Sequence, residues 1–338
     1  MTAPVVSVVT PVYNGEQYLA ECIESVLRQT LQEWEYVIVD NMSTDATASI
    51  ADRFALQDAR IRVVRSDQFL DVYGNHNRAL AASDPRSRYC KMIQADDWIY
   101  PECLERMVGV AERNPSVGIV SAYALNGKRV QLDGLFSYSD EMMAGREAVR
   151  RFVRGSWVDW IVGGPSSILV RADFVRRERE FFDRSLWHAD SDAAFRVLMD
   201  SDLGFVHQVL TFMRGDNPKG LTSYSWRVYT FLASEGRMLI RYGPKIMSRD
   251  EYRVSIRRWL RRYGYWLFKQ RLNLLRYRQQ EFHDYHRREI EEMSAESGGD
   301  RETKLILSGF RSLLVNARSD RQTRSRTGYV ETAWNPSS

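Results

Sequence analysis

Cysteine is scarce in this chain, and its scarcity excludes a disulfide scaffold. The 338 residues include three cysteines, Cys22, Cys90 and Cys103. The number is odd and each lies in an apolar pattern, so we expect reduced thiols in the core rather than disulfides or a metal cluster. The cysteines therefore carry no functional signal.

Long apolar runs are also missing. No stretch approaches the roughly 20 consecutive apolar residues that span a bilayer, and no basic segment followed by an apolar run stands at the amino end. We therefore expect a cytoplasmic protein. The hydrophobic fraction of 44% is ample for a core, and the length predicts one large domain or one domain with a helical extension.

The net charge is only +4, but the arginines are unevenly spread. They crowd the regions Arg253 to Arg288 and Arg311 to Arg326. A basic amphipathic helix can lie on an anionic membrane, which would give a peripheral location at its inner face. The favoured alternative is a helix that packs on the rest of the protein and keeps its basic face in solvent. The helices could also form a homodimer. No nucleic-acid-binding module is recognisable, so we expect no nucleic acid partner.

The first part of the chain alternates short β-rich runs with helical patterns. Strands are predicted at Val5–Val9, Tyr36–Val39, Arg62–Val64, Tyr89–Ile93, Gly118–Ala122, Ser167–Val170 and Phe205–Leu210. Leu19, Ile23 and Val26 recur on one helical face, and Ser43 and Thr44 can cap the next helix. This βαβαβ order predicts an α/β fold with a parallel or mixed sheet and covering helices.

Helical patterns dominate after the last predicted strand, with an interruption at Gly243-Pro244. We predict a domain over residues 1–223, a helical extension over 224–296 and a polar basic tail, partly disordered, over 297–338.

Two acidic residues, Asp96 and Asp97, follow the predicted strand Tyr89–Ile93. Carboxylates at the carboxyl end of a strand lie where open α/β folds bind ligands. They are hard oxygen donors that suit Mg²⁺ or Mn²⁺, the usual partner of a diphosphate. Helix capping before Pro101 is the alternative role.

The loop Thr10 to Glu16 lies between the first strand and the first helix. It can expose backbone N–H groups and an aromatic face to a ligand, although it has neither the phosphate loop nor the dinucleotide fingerprint. Asp40 ends the second strand, where it can accept hydrogen bonds from a nucleotide or organise the turn formed with Asn41 and Ser43.

Taken together, these motifs resemble those of family 2 glycosyltransferases with the GT-A fold. The motifs that carry the resemblance are Pro11-Val12-Tyr13-Asn14, Val37-Ile38-Val39-Asp40 with Asn41 to Asp45, Asn77-Arg78-Ala79-Leu80, and Ala95-Asp96-Asp97. The similarity is strong over residues 5–100 and weaker to about residue 225. It implies a single Rossmann-like mixed sheet with covering helices, and an enzyme that transfers a sugar from a nucleotide diphosphate donor.

The resemblance also implies individual roles. Pro11, Tyr13 and Asp40 would seat the nucleotide, and Asn77 would contact the donor. Asp96 would bind the donor through a Mn²⁺ or Mg²⁺ ion, with help from Asp97. The chain departs from the family pattern at two positions, because Gln94 stands where an acid is usual and His76 where an arginine is usual.

The base of an inverting transfer must remove a proton from the acceptor hydroxyl. In the family it comes from a downstream acidic motif, which corresponds here to Trp187 through Asp192, with Ala189 in place of the glutamate. We assign Asp190 as the base. The alternative role for Asp190 is to cap the following helix, and His188 is the alternative base.

The segment Phe212 to Asp216 resembles the last site element of the family, a strand that ends in an aromatic residue and an arginine. Arg214 can reach a phosphate or pair with a nearby acid. Asp216 is a candidate metal ligand, with a solvated loop acid as the alternative. The segment Gly163 to Ser167 falls where related enzymes form the acceptor wall, although by itself it indicates only a turn.

We therefore expect an inverting glycosyltransferase that acts on a hydroxyl of a saccharide or lipid-linked acceptor. Two rivals remain. A sugar nucleotidyltransferase would need a basic glycine-rich loop, which the chain lacks after its first strand. A non-catalytic scaffold would explain Gln94 and Ala189.

Overall fold

The computed structural model describes residues 3–132, 136–154, 163–215, 217, 221–272, 280–297, 301–310 and 314. These form two compact units, one of residues 1–149 with 158–217 and one of residues 150–157 with 218–338. Asp216 and most of the predicted tail lie outside the described residues. The predicted boundary at residue 223 stays a prediction.

The first unit is built on one sheet of ten strands within the described residues. The strands are β1 Val6–Val12, β2 Trp34–Asp40, β3 Ile61–Arg65, β4 Tyr89–Met92, β5 Trp98–Ile99, β6 Val117–Asn126, β7 Arg129–Gln131, β8 Met142–Met143, β9 Leu169–Arg171 and β10 Asp202–Met213. Their main order is β3-β2-β1-β4-β9-β6-β10-β5, with β7 beside β6 and β8 beside β10. The sheet is mixed, because β9 runs antiparallel to both β4 and β6.

Helices flank this sheet. They are α1 Leu19–Leu27, α2 Thr47–Gln57, α3 Val72–Ala81, α4 Cys103–Arg113, α5 Gly145–Val153, α6 Ala172–Arg177 and α7 Ala189–Met199. Every residue of β1 is buried, as are Leu19, Ile23 and Val26 of α1. This packing confirms the predicted α/β fold with covering helices. The cysteines are free and buried, as expected.

Two local expectations were wrong. Helix α2 begins at Thr47 without a side-chain cap from Ser43 or Thr44, because Asp45 accepts the Thr47 N–H at 3.0 Å. The strand predicted to start at Ser167 starts at Leu169, since Pro165–Ser167 form a 3₁₀ turn.

The second unit is helical. Its helices are α8 Leu221–Val228, α9 Phe231–Ile246, α10 Arg249–Leu272, α11 Gln280–Glu296 and α12 Arg301–Phe310. Helix α9 continues through Pro244, contrary to the predicted interruption, and ends at Ile246. The buried Trp259 donates its indole N–H to the Leu232 carbonyl at 2.8 Å. No helix in the described part of the chain is long and apolar enough to cross a membrane.

Candidate active site

The carboxyl ends of three parallel strands meet at one edge of the sheet. Strand β1 pairs with β2 up to Val12 opposite Asp40, and with β4 up to Val9 opposite Met92. The loop after β1, Asp40 and the acidic turn after β4 therefore lie at the same edge, where open α/β folds bind ligands.

The loop after β1 is held by the loop after β2. Asn14 donates its backbone N–H to the Ser43 hydroxyl at 2.9 Å, and Gly15 donates its own to the Thr47 hydroxyl at 2.8 Å. The Asn14 side chain accepts the Thr44 N–H at 2.8 Å. The expectation that this loop offers free backbone N–H groups is wrong for Asn14 and Gly15, because neighbouring side chains already accept them.

Asp40 takes part in a turn and keeps acceptor capacity. It is 3% exposed, and its Oδ1 accepts the Ser43 N–H at 3.0 Å. The predicted turn role is thus present. Its Oδ2 accepts no hydrogen bond from the described residues, so one lone-pair face of the carboxylate stays available to a ligand donor.

An aromatic side chain missed by the sequence reasoning lies beside this loop. Asn41 exchanges hydrogen bonds of 2.8 and 3.0 Å with the backbone of Leu70. This fixes the segment that carries Phe69, whose ring meets the Tyr13 ring edge to face at 5.0 Å. Phe69 is 42% exposed. The sequence did offer one signal for Phe69, because this aromatic residue lies in the loop that follows the third predicted strand.

The two acids of the turn after β4 have different surroundings. Asp97 is buried and accepts the Arg214 backbone N–H at 2.9 Å and the Ser166 hydroxyl at 2.6 Å, one at each oxygen. Burial, and secondly the charge of Asp96, raises the pKa of Asp97 to about 7. Both carboxylate oxygens of Asp97 thus accept hydrogen bonds that hold the turn, and its predicted help at the metal stays a prediction.

Asp96 is the acid of this turn that can bind a cation. It is half-buried, and its Oδ2 accepts a hydrogen bond from the Asn217 amide at 2.7 Å. Its Oδ1 accepts none from the described residues. No group of three or more candidate metal-binding side chains exists among those residues. A single carboxylate is nevertheless enough for a Mg²⁺-type ion that takes its other ligands from water and substrate phosphates.

Arg214 ties the acidic turn to α1. It donates to the Glu21 carboxylate at 2.7 Å and to the Asp96 carbonyl at 3.1 Å. Its guanidinium lies over the Tyr18 ring, 4.2 Å from the centroid. The predicted pairing with a nearby acid is present, and the phosphate contact stays a prediction.

Helix α3 links the sheet edge to the segment before α7. The Asn77 side chain exchanges two hydrogen bonds of 2.8 Å with the backbone of Phe182. Tyr73 donates its hydroxyl to the Trp187 carbonyl, and its ring packs on that of Phe182 at 5.9 Å. Both polar groups of the Asn77 side chain are used in this way, and its predicted contact with the donor stays a prediction.

Asp190 does not cap α7. The helix begins one residue earlier, at Ala189, and has no side-chain cap. Asp190 accepts the Ser191 N–H at 2.9 Å, and burial raises the pKa of its carboxyl to about 6. Burial lowers the pKa of His188 to about 3, which makes that imidazole a poor base at neutral pH. Of the two candidates, Asp190 has the properties of a general base.

Part of the chain matches a known protein family. Residues 7–155 match the model of the family described as Glycosyl transferase family 2. Over these residues, somewhat less than half of its length, the chain is similar to that family. The prediction of a glycosyltransferase that resembles family 2 and has a GT-A fold is confirmed.

Its relatives are moderately similar in sequence. The glycosyltransferase GlyG of Streptococcus pneumoniae is 26% identical over 211 residues, which cover 58% of this chain and 68% of GlyG. The teichuronic acid biosynthesis glycosyltransferase TuaG of Bacillus subtilis, whose assignment is putative, is 28% identical over 45% of this chain and 60% of its own length. The match to another B. subtilis relative, EpsH, covers 41% of the length of EpsH.

Solved structures share the fold. Residues 1–349 of S. aureus TarS, in complex with UDP, align with a TM-score of 0.61 at 14% identity, over 97% of this chain and 87% of that one. The mannosyltransferase PcManGT from Pyrobaculum calidifontis, in complex with GDP-Man and Mn²⁺, aligns with a TM-score of 0.52 at 16% identity, over 94% and 82%.

The two departures from the family 2 pattern contact each other. The side-chain amide of Gln94 lies 2.9 to 3.2 Å from Nε2 of His76. Burial lowers the pKa of His76 to about 4, so this imidazole is neutral at neutral pH. A neutral hydrogen-bonded pair thus occupies the two positions where the family usually has an acid and an arginine.

Proposed function

We propose that this glycosyltransferase moves a sugar, with inversion, from a nucleoside diphosphate sugar to a hydroxyl of a saccharide or lipid-linked acceptor. The observation that carries this proposal is the placement of three acids. Asp40 and Asp96 lie at one sheet edge, and helix α3 connects that edge to the segment leading to Asp190.

Similar structures support the donor class. TarS has been solved with UDP and with UDP-GlcNAc, and PcManGT with GDP-Man. In this chain, the free oxygen of Asp40 would accept a hydrogen bond from the nucleotide. Tyr13 and Phe69 lie in the loops beside it, whereas Pro11 lies in β1, opposite Val39, and would support the loop from the strand. The relation to TuaG supports a cell-surface polysaccharide as the acceptor, and we place the reaction in the cytoplasm.

The carboxylate of Asp96 is suited to bind a divalent ion. PcManGT is described with Mn²⁺, and here Asp96 would hold Mn²⁺ or Mg²⁺ through the oxygen that no described residue uses. Such an ion, when bound, neutralises the negative charge of the diphosphate leaving group.

The proton transfer is assigned to Asp190. Its carboxylate accepts the proton of the acceptor hydroxyl while the hydroxyl oxygen forms a bond to the anomeric carbon. The bond from that carbon to the diphosphate oxygen breaks, and the electron pair leaves with the diphosphate. Attack from the face opposite the leaving group inverts the anomeric configuration. The hydrogen bonds from Tyr73 and Asn77 orient the segment that precedes this base.

Donor turnover tests the proposal. UDP-sugars and GDP-sugars are incubated with the protein, with and without Mn²⁺, and release of nucleoside diphosphate is followed. We expect Mn²⁺-dependent release that accelerates with a saccharide acceptor. No release from any donor would favour the non-catalytic scaffold. Formation of nucleotide sugar from a nucleoside triphosphate and a sugar phosphate would favour the nucleotidyltransferase.

A further inference from the structure

Helix α10 presents a face of cationic and apolar side chains to solvent. We define the α10 outer face as Arg253, Val254, Arg258, Arg261, Tyr265, Phe268 and Lys269, all of which are exposed. The apolar members are 57% exposed at Val254, 60% at Tyr265 and 50% at Phe268. Spacings of three and four residues place most of this set on one stripe of the helix.

Among the described residues, the cations of this face make only local contacts: Arg261 donates to the Arg257 carbonyl at 3.3 Å, and Lys269 Nζ lies 4.9 Å from the centroid of the Tyr265 ring. From Tyr252 to Gln280 the sequence contains no Asp or Glu. Arg253, Arg258, Arg261 and Lys269 form no ion pair among the described residues. By contrast, Arg262 of the same helix pairs with Glu235, and Arg237 of α9 pairs with the buried Glu289. Within the described part of the chain, the positive charge of the outer face therefore has no acidic partner.

The large aromatic residues of α10 mostly point the other way. Trp259 and Tyr263 are 2% and 0% exposed, and Tyr263 shares a hydrogen bond of 2.8 Å with His286. Leu267 is buried as well. The amphipathic pattern seen in the sequence is thus satisfied mainly by packing within the unit. Trp259, Tyr263 and Leu267 could contact a membrane only if the helical unit unfolded. Tyr265 and Phe268 are exposed and can contact it in the folded unit.

We propose that the α10 outer face docks this protein on an anionic lipid surface. The cations would lie among the headgroups, and Tyr265 and Phe268 would enter the interface between headgroups and acyl chains. From Val254 to Phe268 the stripe runs about 21 Å along a straight helix, which suits a flat partner. A second copy of the same face would bring like charges together, so self-association through it is disfavoured. Docking on a membrane would suit the proposed lipid-linked acceptor, although the observations that support the docking are those of α10 and do not depend on the proposed function.

Vesicle flotation tests the docking without measuring activity. The full chain is mixed with vesicles of phosphatidylcholine alone or of phosphatidylcholine with phosphatidylglycerol. We expect binding to the anionic vesicles only, weakened by salt. The double variant Arg258→Glu with Arg261→Glu should bind them at least about tenfold more weakly. A second pair on the same face, Arg253→Glu with Lys269→Glu, should show the same loss.

A matched control separates this face from net charge. Arg53 and Arg129 are exposed residues of the other unit, and their replacement by Glu changes the charge by the same amount. This control should bind within about twofold of the wild type. Equal loss in the control, or equal binding to uncharged vesicles, would overturn the proposal. So would tighter binding of duplex DNA than of anionic vesicles through the same arginines.

The apolar residues provide a further test. Tyr265→Ser with Phe268→Ser should keep the salt-sensitive part of the binding and lose the part that persists at high salt. Thermal melting of each variant checks the fold. Unchanged high-salt binding in this variant would contradict insertion of the two aromatic side chains.

Discussion

His76 and Gln94 form a hydrogen bond between helix α3 and the turn that carries Asp96. Each is a departure from the pattern of family 2, and in the sequence they look like two separate losses. In the structure they are partners, since burial keeps His76 neutral and an amide is a suitable partner for a neutral imidazole. The two departures from the pattern therefore form one hydrogen-bonded pair.

This pairing predicts energetic coupling. Gln94→Asp alone places a carboxylate beside a buried imidazole, and His76→Arg alone buries a cation beside an amide. We expect each to lower the free energy of unfolding by about 1–3 kcal/mol. The double variant can form an ion pair. Its loss of unfolding free energy should therefore be smaller, by about 1 kcal/mol or more, than the sum of the losses in the two single variants. Denaturant unfolding of all four proteins measures the coupling. Simple additivity would show that the pair does not act as a unit.

Asn77→Ala distinguishes a positioning role from a donor-binding role. The substitution leaves the N–H and carbonyl of Phe182 without their partners. We expect transfer to slow by about tenfold or more through loss of orientation, while nucleoside diphosphate affinity changes by less than about twofold. Steady-state kinetics and calorimetry measure the two quantities. A large loss of nucleotide affinity with unchanged turnover would restore the donor contact predicted from the sequence.

Asp190→Asn should separate chemistry from binding. We expect transfer to fall by about 10²–10⁴-fold with donor affinity retained. Asp192→Asn is the matched control, because Asp192 is buried two residues away and pairs with Arg196 at 3.1 Å. That control should lower the melting temperature and leave most of the turnover of the folded enzyme. Normal turnover in the Asp190 variant would remove this residue from the mechanism.

The pH dependence follows from the same carboxyl. Burial raises the pKa of Asp190 from 3.8 to about 6, so the base form is lost as the pH falls below about 6. We expect kcat/KM to decrease on the acid side of that value, and the residual activity of Asp190→Asn to lack this decrease. A wild-type profile that stays flat well below pH 6 would contradict the assignment.

The raised pKa also has a consequence for stability. The folded state binds this proton more tightly than the unfolded chain, so its stabilising contribution is full below pH 3.8 and is lost as the pH rises through about 6. Above that pH the ionised group should destabilise the fold. Asp190→Asn should therefore not lower the melting temperature at pH 8.

Much of the fold could be predicted from the sequence, because periodicity and strand-helix alternation are local signals. Strand β2 was predicted within two residues of its bounds, and the apolar face predicted for the first helix, with Leu19, Ile23 and Val26, is buried in α1. Pro244 was misread, because it lies inside α9 and the helix ends only two residues later, at Ile246. That outcome depends on tertiary packing, which no local pattern records.

The candidate site was only partly predictable. The position of Asp40 and Asp96 after strands is visible in the sequence, and the sheet brings them to one edge. The role of Ser166 was not visible, because its hydroxyl reaches Asp97 across 69 residues of sequence. The contrast between Asp96 and Asp97 also requires burial and hydrogen bonding, which distinguish two identical side chains only in the folded chain.

Nucleotide binding by the Asp96→Asn variant tests the central claim most directly. UDP and GDP are titrated by calorimetry with and without Mn²⁺, and Asp52→Asn, which alters a surface acid paired with Arg65, serves as the control. We predict that Mn²⁺ tightens binding of at least one nucleotide to the wild type and to the control, and that the variant loses this gain by more than about tenfold. Equal Mn²⁺-dependent affinity in Asp96→Asn would contradict the account.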